Sequence, residues 1–116
     1  MRTVKYVPEA CKGESPKFSG EVELRVPTFD EILEMCDDVG VDFQEDGVEI
    51  RTKGSNISML RRMVKNAEKY YVSVSLKKLN GKEIKSYEDL QSDYDAHGII
   101  KEIAGKIWRA DSLGND

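Results

Sequence analysis

Gly20-Glu21-Val22-Glu23-Leu24-Arg25-Val26-Pro27-Thr28-Phe29-Asp30-Glu31 carries two different periods side by side. Val22, Leu24 and Val26 alternate with Glu21, Glu23 and Arg25, which is the period of two of a strand with one buried face. The same alternation reaches back to Phe18. At Pro27 it stops. Thr28 is a helix-capping residue with Glu31 three positions on, the reciprocal pattern of a capping box. Asp30 and Glu31 also suit the positive end of a helix dipole. One strand therefore runs directly into one helix, and the rest of the chain repeats both kinds of pattern.

Upstream, Arg2–Val7 reads as a short strand broken by Pro8, and 8–16 (Pro-Glu-Ala-Cys-Lys-Gly-Glu-Ser-Pro) as a mobile loop. Downstream, Phe29, Ile32, Leu33, Met35 and Cys36 form the inner face of the first helix, which Gly40 ends. Val41–Ile50 reads as extended, turning at Asp46-Gly47. Ser55 or Asn56 caps a second helix whose apolar residues Ile57, Leu60, Val64, Ala67 and Tyr71 recur at spacings of three and four. Tyr71–Leu76 is a strand with Val72, Val74 and Leu76 on one face. Asn80-Gly81 is a tight turn leading to a brief Glu83-Ile84 return. Ser86 caps a short third helix, and Ser92–His97 interrupts it with a polar turn. Gly98–Arg109 is the closing helix, with Ile99, Ile100, Ile103, Ala104, Ile107 and Trp108 on its apolar side, followed by a frayed tail at 111–116. The expected fold is α+β, a single domain over 1–116 with a small, mostly antiparallel sheet and three to four packed helices.

Charge is distributed unevenly. Residues 27–50 carry nine acids and no base, whereas 51–85 carry ten bases against Glu68 and Glu83. Such polarity steers docking between proteins more than it builds a fold. The net charge of −4 and pI near 5.1 argue against a general nucleic-acid binder. No apolar run is long enough for a membrane span or a signal peptide. Cys11 and Cys36 stand far apart in unlike contexts, which favours reduced thiols in a cytosolic protein over a disulfide.

Chemistry-bearing clusters are sparse. His97 is the only histidine, without a local nucleophile signature, and reads as a cap or surface residue before the last helix. Asp42–Lys53 begins like a calcium loop but places Lys53 where the bidentate Glu should stand, so the hairpin reading wins. Asp93 and Asp95 with Glu88 and Asp89 are a weak magnesium candidate, and two isolated cysteines with one histidine exclude a zinc site. No glycine-rich phosphate loop exists, and no cofactor is expected. Arg61, Lys65 and Lys69 line up at i, i+4 and i+8 with Arg62 beside them, a basic stripe. It either meets a partner or neutralises the acidic segment within one molecule. Trp108 is either core or an exposed anchor for a partner.

Three segments together carry a family likeness. They are the strand-to-helix stretch Gly20–Phe29, the strand, turn and helix Lys78-Leu79-Asn80-Gly81-Lys82-Glu83-Ile84-Lys85-Ser86-Tyr87-Glu88-Asp89-Leu90, and the closing helix Gly98–Ile107 with Leu113-Gly114 beyond it. In this order and length the chain resembles the tail assembly chaperones of long-tailed bacteriophages. The resemblance implies a non-enzymatic protein of the infected bacterial cytoplasm. It would bind the tape-measure protein until tail-tube subunits polymerise around it, and would self-associate. It implies no binding residue by name. The charge pattern supplies candidates: Glu31, Glu34 and Asp38 on the acidic helix of one subunit docking on Arg61, Arg62, Lys65 and Lys69 of the next, with Trp108 as an anchor. A structural tail or head component retained in the virion is the alternative expectation.

Overall fold

The computed structural model describes residues 2–39, 42–44, 47–49 and 56–109. Ten regular elements follow in order: β1 (Thr3–Tyr6), β2 (Phe18–Arg25), α1 (Phe29–Val39), β3 (Asp42–Gln44), β4 (Gly47–Glu49), α2 (Asn56–Ala67), β5 (Tyr71–Lys78), β6 (Glu83–Ile84), α3 (Tyr87–Ser92) and α4 (His97–Trp108). Single 3-10 turns occupy Glu9–Cys11, Glu68–Tyr70 and Tyr94–Ala96. The main sheet runs β1-β2-β5-β6, antiparallel throughout, so the α+β expectation holds. β3 and β4 form a separate antiparallel pair with Gln44 opposite Gly47. The expected helix stop at Gly40, the capping choice at Ser55, the calcium-like loop's end at Lys53 and the tail at 111–116 lie outside the described residues.

Alternation decides which side of the sheet is dry. Phe18, Val22 and Leu24 of β2 join Val74 and Leu76 of β5, Tyr6 of β1 and Ile84 of β6 beneath the helices. Glu21, Glu23, Ser73, Ser75 and Lys77 stand on the opposite face, where Lys5 pairs with Glu21 at 3.5 Å. α4 contributes Ile99, Ile100, Ile103, Ala104, Ile107 and Trp108 to the same core, as its spacing predicts. Gly20 lets β2 and β5 approach closely. Its φ is +118°, and a Cβ there would lie 1.9 Å from the Ser75 carbonyl oxygen.

Val72 corrects the sequence reading. Glu23 pairs with Ser73, but Leu24 pairs with Tyr71, so Val72 is an extra residue in β5. This bulge shifts the alternation by one. Val72 turns outward, 48 % exposed, and Tyr71 turns inward, its ring 4.7 Å edge-on from Tyr87. Among the described residues the buried Tyr71 hydroxyl has no hydrogen-bond partner.

The helix faces also differ from expectation. α1 packs Ile32, Met35, Cys36 and Val39 inward and leaves Phe29 and Leu33 exposed. α2 uses Met59, Met63 and Ala67, spaced by four, with Val64 partly buried. That rotation puts Ile57 and Leu60 in solvent. The segment read as a loop at 8–16 begins with buried Pro8 and a 3-10 turn whose Glu9 amide donates to the Glu102 carboxylate at 3.1 and 3.2 Å. Tyr6 Oη donates to the same carboxylate. Cys11 is half-buried and Cys36 buried; both are free thiols.

Candidate functional site

The charged surfaces are built by α1 and α2. Thr28 Oγ1 accepts from the Glu31 amide at 3.2 Å while the Thr28 amide donates to Glu31 Oε1 at 3.0 Å, completing the anticipated capping box. The Glu31 carboxylate does more than cap. Arg25 donates to it through both terminal guanidinium nitrogens at 2.7 and 2.8 Å, and Tyr70 Oη donates at 3.2 Å. Those donors, led by Arg25, hold the Glu31 carboxyl down at about 2. Burial, with the facing carboxylate, pushes the Tyr70 phenol up to about 12. The Arg25 guanidinium also lies 4.5 Å from the centroid of the buried Tyr70 ring. Glu31 is thus held within its own chain and is withdrawn from the candidate docking set. Its partners lie 6 and 39 residues away, beyond the reach of a local capping signal.

Asp38 is likewise turned toward its own molecule. It accepts from Asn66 Nδ2 at 2.7 Å, and the same amide donates to the Arg62 carbonyl at 2.8 Å. This contact marks the line along which α1 and α2 meet. Asp38, Arg62, Lys65, Asn66 and Lys69 line a groove of ≈ 270 Å³ there. Glu34 remains exposed, as do Asp30 and Asp37. Arg61, Arg62, Lys65 and Lys69 are all exposed, and among the described residues none of them makes an ion pair. Lys69 Nζ sits 5.4 Å from the Tyr70 ring centroid.

Trp108 belongs to the core. It is 4 % exposed, and its Nε1 donates to the Met63 carbonyl at 3.5 Å. Its place on the inner side of α4 with Ala104 and Ile107 explains this, so it is not an exposed anchor.

A second surface lies at the β5–β6 turn. Asp93 is buried, and its carboxylate accepts from Lys78 Nζ at 3.0 and 3.1 Å, from Lys82 Nζ at 3.1 Å and from the Asp95 amide at 3.0 Å. Asp95 accepts from Lys78 Nζ at 2.9 Å. The magnesium candidate is therefore filled by ammonium groups, with Lys78 foremost in holding the Asp93 carboxyl below its ordinary range. Leu79 and Tyr94, immediate neighbours of these paired residues, project 81 % and 86 % exposed. The Tyr94 ring lies 5.7 Å from that of His97, whose Nε2 contacts the Gln91 carbonyl at 3.0 Å.

Among the described residues no three His, Cys, Asp or Glu side chains are grouped to hold a metal ion, and no helix is long and apolar enough to cross a membrane. Sequence reasoning missed Phe29, Leu33, Ile57, Leu60, Leu79 and Tyr94 as surface apolar groups. The first four were assigned inward by helical spacing alone. No family model matches the chain, and no curated protein or solved structure matches it.

Proposed function

We propose that this chain is a non-enzymatic interaction protein, a phage tail assembly chaperone that binds a tape-measure protein in the bacterial host cytoplasm. The observation that carries the reading is the display of large apolar side chains beside paired charges. Leu79 and Tyr94 stand in solvent beside a knot of two lysines and two aspartates that fixes their backbones. A helical client exposes apolar surface that needs reversible shielding, and exposed anchors within a charged rim supply it. Complementary polarity along α1 and α2 supports the self-association that the resemblance implies.

The test is co-expression with a tape-measure protein of a long-tailed bacteriophage, taken from a long, helix-rich reading frame next to the gene where one is found. The soluble fraction of that client rises with the wild type and falls back with the double variant Leu79→Ser, Tyr94→Ser. Client solubility that ignores the wild-type chain defeats the reading. Peptides of this chain in purified virions would favour a structural tail component instead.

A further inference from the structure

The geometry points to a binding site for a compact anion carrying several phosphate groups, in the groove between α1 and α2. The site uses neither Leu79 nor Tyr94 and does not rest on the client reading. Its walls are Asp38 of α1 and Arg62, Lys65, Asn66 and Lys69 at α2, around ≈ 270 Å³. Three cations thus line one groove in a chain whose net charge is −4. Elsewhere, Lys78 and Lys82 pair with Asp93, Lys85 with Glu83, Arg25 with Glu31, Lys5 with Glu21 and Lys12 with Glu9. Arg62, Lys65 and Lys69 are exposed and, among the described residues, make no ion pair.

The carboxylate lining the groove does not neutralise them. Asp38 Oδ2 accepts from Asn66 Nδ2 at 2.7 Å, and the same amide donates to the Arg62 carbonyl at 2.8 Å. Asp38 is therefore spent on an amide, and the positive charge beside it is left for a ligand. Lys69 Nζ stands 5.4 Å from the centroid of the buried Tyr70 ring, which stations it at the end of the stripe. From Arg62 to Lys69 the chain rises about 10 Å at helical pitch, more than one phosphate can span. The donor set is a guanidinium fork followed by two ammonium points, both established phosphate partners. Each phosphate brings about −1.5 to −2, so two or three satisfy the stripe in little space, where carboxylates bring less charge per group. The groove is small beside ligand pockets of about 300–1,000 Å³, which favours a compact anion. The exposed Asp30, Glu34 and Asp37 of α1 repel a long polyanion.

Titration with tripolyphosphate at physiological salt tests this, followed by calorimetry and by the Asn66 side-chain amide signals in NMR. The wild type is expected to bind it at one site, more tightly than inorganic phosphate or the tricarboxylate citrate, with the Asn66 signals moving. Arg62→Gln with Lys65→Gln weakens binding at least about tenfold. Both positions are exposed and Gln is a good helix former, so the fold is kept. Lys5→Gln with Lys12→Gln removes the same net charge from ion pairs elsewhere and leaves the affinity unchanged. Asp38→Asn keeps an acceptor for Asn66, removes a negative charge from the groove and tightens binding about threefold. A merely structural role for Asp38 predicts no tightening. No binding of tripolyphosphate, equal losses in the two double variants, or citrate bound as tightly overturns the site. Tighter binding of a single-stranded oligonucleotide to the same residues also overturns it, making the stripe a nucleic-acid surface.

Discussion

Arg25, at the end of β2, grips Glu31, in the first turn of α1, through two parallel hydrogen bonds of 2.7 and 2.8 Å, each side chain only 22 % exposed. This bidentate clamp spans the Pro27 break and sets the angle at which strand becomes helix. Tyr70 joins it from the 3-10 turn that links α2 to β5, so one carboxylate ties together the sheet, the first helix and the connection from the second helix.

The clamp predicts how stability responds to acid. The Glu31 carboxyl is held at about 2 in the folded chain against an ordinary 4.5, so the unfolded chain binds the proton first. Its contribution is complete above pH 4.5 and is lost as pH falls through about 2. Urea midpoints measured across that window should fall steeply for the wild type. In Glu31→Gln they start lower at neutral pH, and the acid-dependent drop is shallower. A Gln variant with the wild-type acid profile removes Glu31 from this role.

Two glycines with positive φ should respond differently to the same change. Gly20→Ala puts a methyl group into the Ser75 carbonyl, where neither backbone can yield without opening the β2–β5 ladder. It should cost more than about 2 kcal/mol. At Gly81, φ is +91° but nothing lies within 4 Å of an added Cβ. Gly81→Ala should carry backbone strain alone, about 1 kcal/mol. Equal losses for the two variants in thermal or urea melts would contradict this account.

Local signals were legible and long-range ones were not. The Thr28–Glu31 capping box, the Ser86 cap accepting from the Asp89 amide, the Asn80-Gly81 turn and the whole buried stripe of α4 follow from spacing within a few residues. Val72 was misplaced because alternation counts residues and cannot see one inserted against the partner strand. The expected stripe of α2, Ile57, Leu60, Val64, Ala67 and Tyr71, holds at its C-terminal end, where Val64, Ala67 and Tyr71 pack on the core; nearer its start, packing against α1 and α4 takes Met59 and Met63 instead and leaves Ile57 and Leu60 outside. Glu31 and Asp38 read as free acids because Arg25, Tyr70 and Asn66 reach them only through tertiary structure. The basic stripe itself was legible, since i, i+4 spacing places such residues on one face whatever the helix packs against.

The bulge leaves a measurable flaw. Tyr71 carries a buried hydroxyl that makes no hydrogen bond among the described residues, and burial pushes that phenol well above its ordinary range. An unmade hydrogen bond on a buried polar group is destabilising, whereas the ring packs against Tyr87. Tyr71→Phe keeps the ring and removes the flaw, so it should raise stability by about 1 kcal/mol. A loss of stability in that variant would mean that the hydroxyl finds a partner.

Trp108 distinguishes packing from docking. As the single tryptophan, it reports on one place: the seam between α4 and α2, where its indole N–H meets the Met63 carbonyl. Its emission should be blue-shifted in the native chain and move to the red on unfolding. It should not change with protein concentration, because the ring is already shielded from water within the single chain. Trp108→Ala removes a large buried side chain and should cost about 3–5 kcal/mol. Arg61→Glu, on the exposed face of the neighbouring helix, should leave the emission unchanged and shift stability by less than about 0.5 kcal/mol. An exposed emission maximum in the folded monomer would return Trp108 to the surface and reopen its role as an anchor.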